Sequence, residues 1–304
     1  MRIIPIYYHL VSNEQNPLVE NLYTFKDVAS FKRDIEALVN RYKILDLADL
    51  KAQQKGVVLS FDDGFAECYH TIFPILKQFG IPAFFFINND FLDNKSMFYR
   101  AKISLIISHL IYSSTVIHKQ IADLLGCKIT EIKKKLLAIK NGDSELLDSL
   151  LTIMKIDIAE YLSKHQPYLT SEQIREMIKA NCYFGGHTRD HMSLKNMPSA
   201  EQEFRIVDSA KDIAARFDLD YTLCSLPHND AGISREVLHN ASKEVDYIFG
   251  GYGFRQDLEN NYYQRVSNEH STMRIDKFIK MWKIFHKSTN RIRIIKNVLK
   301  RNQR

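Results

Sequence analysis

Cysteine is sparse in this chain of 304 residues: Cys68, Cys127, Cys182 and Cys224 stand singly, without a close pair. That spacing excludes a zinc ribbon and a disulfide framework, so any metal must rest on other side chains. No uninterrupted apolar run approaches the roughly 18 residues of a membrane span. The opening Met1-Arg2-Ile3-Ile4-Pro5-Ile6-Tyr7-Tyr8-His9 has no sustained apolar stretch and no small-residue cleavage site, so it does not read as a signal peptide. The expectation is a cytoplasmic protein. Acid is missing from one place, the last 28 residues, which hold ten Lys or Arg between Lys277 and Arg304. The net charge of +6 therefore belongs to a tail, and the rest of the chain is mildly acidic. With 45% hydrophobic and 26% charged residues the chain is no candidate for disorder, and its length suits one large α/β domain or two smaller ones.

What is present reads as alternating strands and helices. Ile3 to Leu10 is apolar and β-prone, a buried strand ending near Tyr8-His9, and a polar loop follows it. From Ser30, a plausible N-cap, Phe31, Ile35, Leu38 and Val39 recur at helical spacing. Val57 to Phe61 suits a buried strand of a parallel sheet. A helix through Ile72, Ile75, Leu76 and Phe79, stopped by Gly80 and Pro82, then leads to a strand over Ala83 to Ile87, completing a βαβ unit. Residues 101 to about 180 change character, with helical spacing and no strand signal; Lys133-Lys134-Lys135 and Asn141-Gly142-Asp143 mark solvated faces or turns. This is a helical insertion. The sheet resumes at Cys182-Tyr183-Phe184, and a helix over roughly 199 to 217 leads to a strand from Tyr221 to Leu226. A last α/β unit ends near Ile248-Phe249.

Asp62-Asp63-Gly64 follows an apolar strand and precedes a helix, which places two carboxylates at the carboxyl end of a parallel strand, where active sites of α/β folds lie. Adjacent side chains diverge there, so one carboxylate can hold a metal while the other faces a water on it. Alternatively Asp62 caps the helix and Asp63-Gly64 makes a turn. His187-Thr188-Arg189-Asp190-His191 weighs against that reading, because histidines four apart reach one face of a helical turn and can chelate one ion. They follow another strand and Gly185-Gly186, so both motifs point to one rim of one sheet.

Ser60-Phe61-Asp62-Asp63-Gly64 resembles the [ST]-F-D-D-G motif, and His187-Thr188-x-x-His191 the H-[ST]-x-x-H motif, of polysaccharide deacetylases, the NodB-homology domain of carbohydrate esterase family 4. The resemblance covers most of residues 1 to 270 apart from the insertion. It implies a distorted (β/α) barrel, with Asp63, His187 and His191 as metal ligands and Asp62 as general base. One carboxylate and two neutral imidazoles leave open positions on an ion, zinc first, with nickel or cobalt as alternatives.

The family's late Leu-x-Leu-x-His motif, which supplies a general acid, is not found. Tyr7-Tyr8-His9 instead resembles the Tyr-His element of a permuted subgroup similar to poly-N-acetylglucosamine deacetylases, which nominates His9 as the acid, with His270 as the fallback. The bland reading of His9 is a hydrogen-bonded core histidine. The family's Arg-x-Pro becomes Ser225-Leu226-Pro227-His228, so the arginine that orients the base is missing there; Arg265 is the candidate to replace it. His228 is a candidate to touch substrate or metal, or simply part of a polar turn.

The expected organisation is a catalytic domain over 1–275 and a basic amphipathic tail over 276–304. Phe278, Ile279, Met281, Trp282, Ile284, Phe285 and later Ile292, Ile294, Ile295, Val298 and Leu299 lie among its ten cations. That composition suits a helix on an anionic membrane face, peripheral and cytoplasmic, or a terminal helix packed on the barrel. Nucleic acid is not an expected partner, since no recognised module accompanies the charge. The expected function is hydrolysis of an N-acyl group, N-acetyl first, from a sugar or glycan precursor in cell-surface polysaccharide biosynthesis. The alternatives are a deformylase or other amide hydrolase of a non-polymeric substrate, and a degenerate glycan- or membrane-binding module.

Overall fold

The computed structural model describes residues 3–140, 142–253 and 257–284. Eight parallel strands form one sheet: β1 (Ile3–Tyr8), β2 (Gly56–Phe61), β3 (Ala83–Ile87), β4 (Cys182–Gly186), β5 (Leu223–Ser225), β6 (Tyr247–Gly250), β7 (Tyr262–Gln264) and β8 (Val266–Ser267). Their order is β7-β6-β5-β4-β3-β2-β1-β8. β7 and β8 are separated only by Arg265, yet one pairs with β6 and the other with β1. The two edges of the sheet are thus consecutive pieces of one segment, and the sheet curls into a nearly closed barrel, the distorted (β/α) barrel the motifs imply.

Strands buried on both faces need uninterrupted apolar sequence, and every residue of Gly56–Phe61 and Ala83–Ile87 is buried. Helices return the chain to the bottom of the barrel. The first, Val28–Val39, begins before the expected Ser30: its N-cap is Asp27, whose carboxylate accepts from Ser30 N at 2.7 Å. An aspartate offers the same capping acceptor as a serine with charge added, and so takes the position. The helix over Phe73–Phe79 stops at Gly80 in the left-handed conformation, as expected. Strand β5 is only three residues, shorter than Tyr221 to Leu226.

Between β3 and β4 lie, among the described residues, six α-helices, from Tyr99–Leu110 to Ser171–Lys179. Ile103, Ile106, Ile121, Leu136, Leu147 and Leu150 form a core of their own there. The last of the six packs elsewhere, since Ile174 and Met177 join Phe184 in the main barrel core. A helix over 275–284 also packs on the barrel, burying Ile275, Phe278 and Ile279 in that core. The turn residue Asn141 and the tail from Phe285 onward, with its Ile292 to Leu299 stripe, lie outside the described residues. Among the described residues no helix is long and apolar enough to cross a membrane.

Candidate active site

Strands β1, β2, β4 and β5 all end at one rim, and each delivers part of the site. Asp62 follows β2, its backbone N–H donating to Tyr8 O at 2.9 Å. Asp63 and Gly64 then turn sharply, with φ of 71° and 66°. Gly64 is required: a Cβ would lie 2.8 Å from Ile87 Cγ2 as well as strained by its φ. After β4, His187 N donates to Ile87 O at 2.9 Å, while the Asn88 carboxamide donates to the carbonyls of His187 and Thr188 at 2.7 and 3.0 Å. Gly186 lets the helix Ser199–Phe217 lie against this strand, because a Cβ would come within 2.6 Å of the Ser209 carbonyl carbon.

The loop holding the two histidines is strained and clamped. Thr188 and His191 take φ of 59° and 57°, as does His228 at 58° on the neighbouring loop. Non-glycine residues in this region cost energy and persist where surroundings impose them. Here the residues between the histidines supply the restraint: Arg189 pairs with Asp208 at 2.5 Å, and Asp190 with Arg205 at 3.0 Å, both partners on Ser199–Phe217.

Asp63, His187 and His191 each offer a ligand atom, and the three atoms lie within 4.8 Å of one another. Asp63 Oδ1 is 3.2 Å from His191 Nε2 and 3.5 Å from His187 Nε2. It nonetheless has no hydrogen-bond partner among the described residues, although it is buried. A buried carboxylate oxygen in that condition is costly without a cation to face. His187 Nδ1 lies 2.9 Å from Ser225 O, an acceptor, so Nδ1 carries the proton and the Nε2 lone pair turns toward Asp63. Burial pushes the His187 imidazole down to about 4, with the nearby His191 adding to that and Asp62 and Asp63 opposing it. Burial raises the Asp63 carboxyl, but His191, His9 and His187 outweigh it and hold it well below the usual carboxylate range. One ionised carboxylate and two imidazoles suit a divalent ion of the zinc type, with positions left for water and substrate.

Asp62 belongs to a second constellation. Arg265 Nη1 and Nη2 donate to Asp62 Oδ1 and Oδ2, both at 2.7 Å, a bidentate pair 1% and 3% exposed on its two sides. The guanidinium also donates to Ser60 Oγ at 3.0 Å, Ser225 Oγ at 2.5 Å and Gly250 O at 3.2 Å, and lies over the Tyr7 ring. The β5 segment that lacks the family's arginine thus supplies the serine that holds this one. Burial raises the Asp62 carboxyl, and Arg265 and His187 reverse that, leaving it below the ordinary value and ionised.

His9, just past β1, lines the same cleft. Its Nδ1 is 2.7 Å from Glu269 Oε2, and its backbone N–H donates to Glu269 Oε1 at 2.5 Å. Burial lowers the imidazole pKa, yet the Glu269 carboxylate overrides it through charge and hydrogen bond, helped by Asp63 and Asp62, and lifts it to about 10. Folding therefore favours the imidazolium. That stabilisation is complete below about pH 6.5 and is lost as pH climbs through about 10. Replacing Glu269 with glutamine leaves the burial and removes the main opposing charge, so the His9 pKa falls. NMR titration of the His9 ring should show this; an unmoved midpoint would mean Glu269 does not control it.

His270 is not brought to the cleft: it is exposed and its Nδ1 is 2.9 Å from Thr24 Oγ1. His228 does reach it, its ring meeting that of His191 at a centroid distance of 4.6 Å. The structure adds three contributors to the site. Glu269 stands beside His270 in sequence. Phe98, Arg100 and Leu137 bring the helical insertion to the wall of the cleft, whose volume is about 430 Å³. Tyr23 packs against His9 at a centroid distance of 5.1 Å, and its buried hydroxyl lacks a hydrogen-bond partner among the described residues. An orphaned hydroxyl costs roughly 1–3 kcal/mol, so Tyr23→Phe is expected to raise the Tm of the free protein by about 2 °C or more. A lower Tm would show the hydroxyl to be satisfied by ordered water.

Residues 49–247 match the polysaccharide deacetylase family, about two thirds of the chain, and the chain belongs to that family. The matched span holds Asp62, Asp63, His187 and His191, while His9 and Arg265 fall outside it. Its members are hydrolases of carbon–nitrogen bonds. Among characterised sequences the chain is similar to a putative polysaccharide deacetylase, YxkH, of Bacillus subtilis, 21% identical over 202 residues that cover 66% of this chain and 46% of that protein. The chain thus spans about half the length of that relative. Among solved structures it resembles the Streptococcus pyogenes deacetylase PplD in complex with acetate, with a TM-score of 0.59, 13% identity and coverage of 91% and 97% of the two chains. It also resembles IcaB from Ammonifex degensii, at a TM-score of 0.53, 14% identity and coverage of 87% and 91%.

Proposed function

We propose that this chain hydrolyses an N-acyl group, N-acetyl first, from a sugar or glycan precursor during synthesis of a cell-surface polysaccharide, with a divalent ion, zinc before nickel or cobalt, as cofactor. The observation that carries the reading is the convergence in one cleft of Asp63, His187 and His191 with an ionised carboxylate on one side, Asp62, and a protonated imidazole on the other, His9. The family and the acetate-bound relative support it.

Asp63, His187 and His191 would hold the ion, which when bound acidifies a water and polarises the acyl carbonyl. Asp62 takes the proton from the attacking water. Its depressed pKa makes it a weak base, sufficient because the water it serves is itself acidified. Arg265 fixes the carboxylate through both oxygens, so Asp62 meets the water in one orientation. His9, held protonated by Glu269, gives its proton to the departing amine, which cannot leave as an anion near neutral pH.

One observation favours shorter or non-polymeric substrates as a second reading: Phe98, Arg100 and Leu137 of the insertion wall the cleft on one side. The metal-loaded protein should release acetate from N-acetylglucosamine oligomers, and release formate from N-formyl sugars more slowly. Faster formate release, or activity only on monosaccharides, would favour the second reading. No acyl release from any such substrate by the metal-loaded protein would leave a glycan-binding module.

A further inference from the structure

The insertion wall carries charge that the chemistry above leaves unused. Among the described residues, Asp62 and Asp63 are the only acids lining the cleft, and both are engaged, one by Arg265 and the other among the histidines. Of the cleft's cations, Arg265 is neutralised by Asp62 and His9 by Glu269. Arg100 has no carboxylate within ion-pair distance among the described residues. It projects from the first insertion helix, Tyr99–Leu110, and is half-buried. Its Nε donates to the Tyr99 hydroxyl at 3.2 Å and its Nη1 to Leu137 O at 3.3 Å, and the guanidinium lies 5.7 Å from the centre of the Tyr99 ring. Its remaining N–H groups have no protein acceptor among the described residues. These contacts orient the group without neutralising it, and they set it against the cleft rather than in bulk water.

One further cation stands at the edge of this wall. Lys133, on the helix Ile132–Ala138, donates to Asn21 Oδ1 at 2.9 Å, and Asn21 lines the cleft; Lys133 likewise has no carboxylate partner among the described residues. On the metal side, Arg100 lines the same cleft as His187, His191 and His228. A fixed, unneutralised guanidinium beside a reaction cleft is suited to a planar or tetrahedral oxyanion, which it can grip through two parallel hydrogen bonds.

We propose that Arg100 forms an oxyanion subsite, with the exposed Lys133 held on the cleft-lining Asn21, and that the substrate is an N-acyl sugar bearing a phosphate or carboxylate near the acylated ring. The inference rests on the N-acyl sugar reading of the same cleft and adds to it a charge requirement. An uncharged glycan would fill the cleft and leave the wall's charge unanswered; an anionic one would be drawn in and oriented by it.

Binding measured by calorimetry on the full-length, metal-loaded protein tests this without requiring turnover. The probes are N-acetylglucosamine, N-acetylglucosamine 1-phosphate and N-acetylmuramic acid. At least one anionic probe should bind about tenfold or more tightly than the neutral sugar. Arg100→Gln should abolish that preference while leaving the affinity for the neutral sugar within about twofold, and Arg100→Lys should retain part of it. Which anion is preferred distinguishes phosphate from carboxylate. Equal binding of all three probes by the wild type overturns the proposal, and this arm does not depend on any variant folding. A preference that survives Arg100→Gln also overturns it, since the anion would then sit on the metal. If the protein deacetylates neutral sugars and shows no anion preference, the subsite fails and the hydrolase stands. Anion preference without acyl release by the metal-loaded protein would leave the subsite standing and remove the hydrolase.

Discussion

Arg265→Met should cost the fold about 3–5 kcal/mol, the range for removing one partner of a buried ion pair. Asp62 would then be an ionised carboxylate, 3% exposed on its side chain, without the cation that holds both its oxygens. Ser60 and Ser225 would lose the same donor. Because β7 and β8 meet at this residue, the damage falls where the barrel closes. The diagnostic comparison is the double variant Arg265→Met with Asp62→Asn. With the charge gone from both partners, most of the lost stability should return, and denaturant unfolding would show the double variant more stable than Arg265→Met alone. Additive losses would mean that the pair is not the source of the stability.

Asp62→Asn alone carries the second large effect, on rate. The substitution keeps the shape and removes the proton acceptor, so turnover should fall by roughly 10²–10⁴, the usual contribution of a positioned base, while one equivalent of metal is retained. The asymmetry with Asp63 is the informative part. The two aspartates are adjacent in sequence, yet one is gripped by Arg265 and the other faces two imidazoles with an oxygen that has no partner among the described residues. An Asp62→Asn protein that lost its metal, or kept its full rate, would reverse these roles.

The sequence made some of this legible and hid the rest for physical reasons. Strands β2 and β4 are short, largely apolar runs that end in Asp62-Asp63-Gly64 and in Gly185-Gly186-His187, so local pattern alone places both motifs at strand ends. The closing of the sheet through consecutive halves of one segment at Arg265 is a consequence of register, which no local pattern encodes. Arg265 was noticed as a possible replacement, but its partners Asp62, Ser60 and Ser225 come from strands far away in the chain. A histidine advertises chemistry and a glutamate does not, so His270 stands out in the sequence and Glu269 does not. Only the turn after β8 brings the glutamate to His9 and leaves His270 exposed. The insertion was visible as a loss of strand signal, while its role as a cleft wall depends on how Tyr99–Leu110 docks against the loop holding Asn21. Ser30 is a capping residue type, but Asp27, three positions earlier, offers a charged acceptor and takes the role.

The central claim is that Asp63, His187 and His191 hold one divalent ion. It is tested most directly by the elemental metal content of the purified protein measured beside Asp63→Ala. The account predicts about one equivalent of zinc, nickel or cobalt in the wild type, lost in the variant while the fold persists. No metal in the wild type even after reconstitution, or equal metal in both proteins, would contradict it.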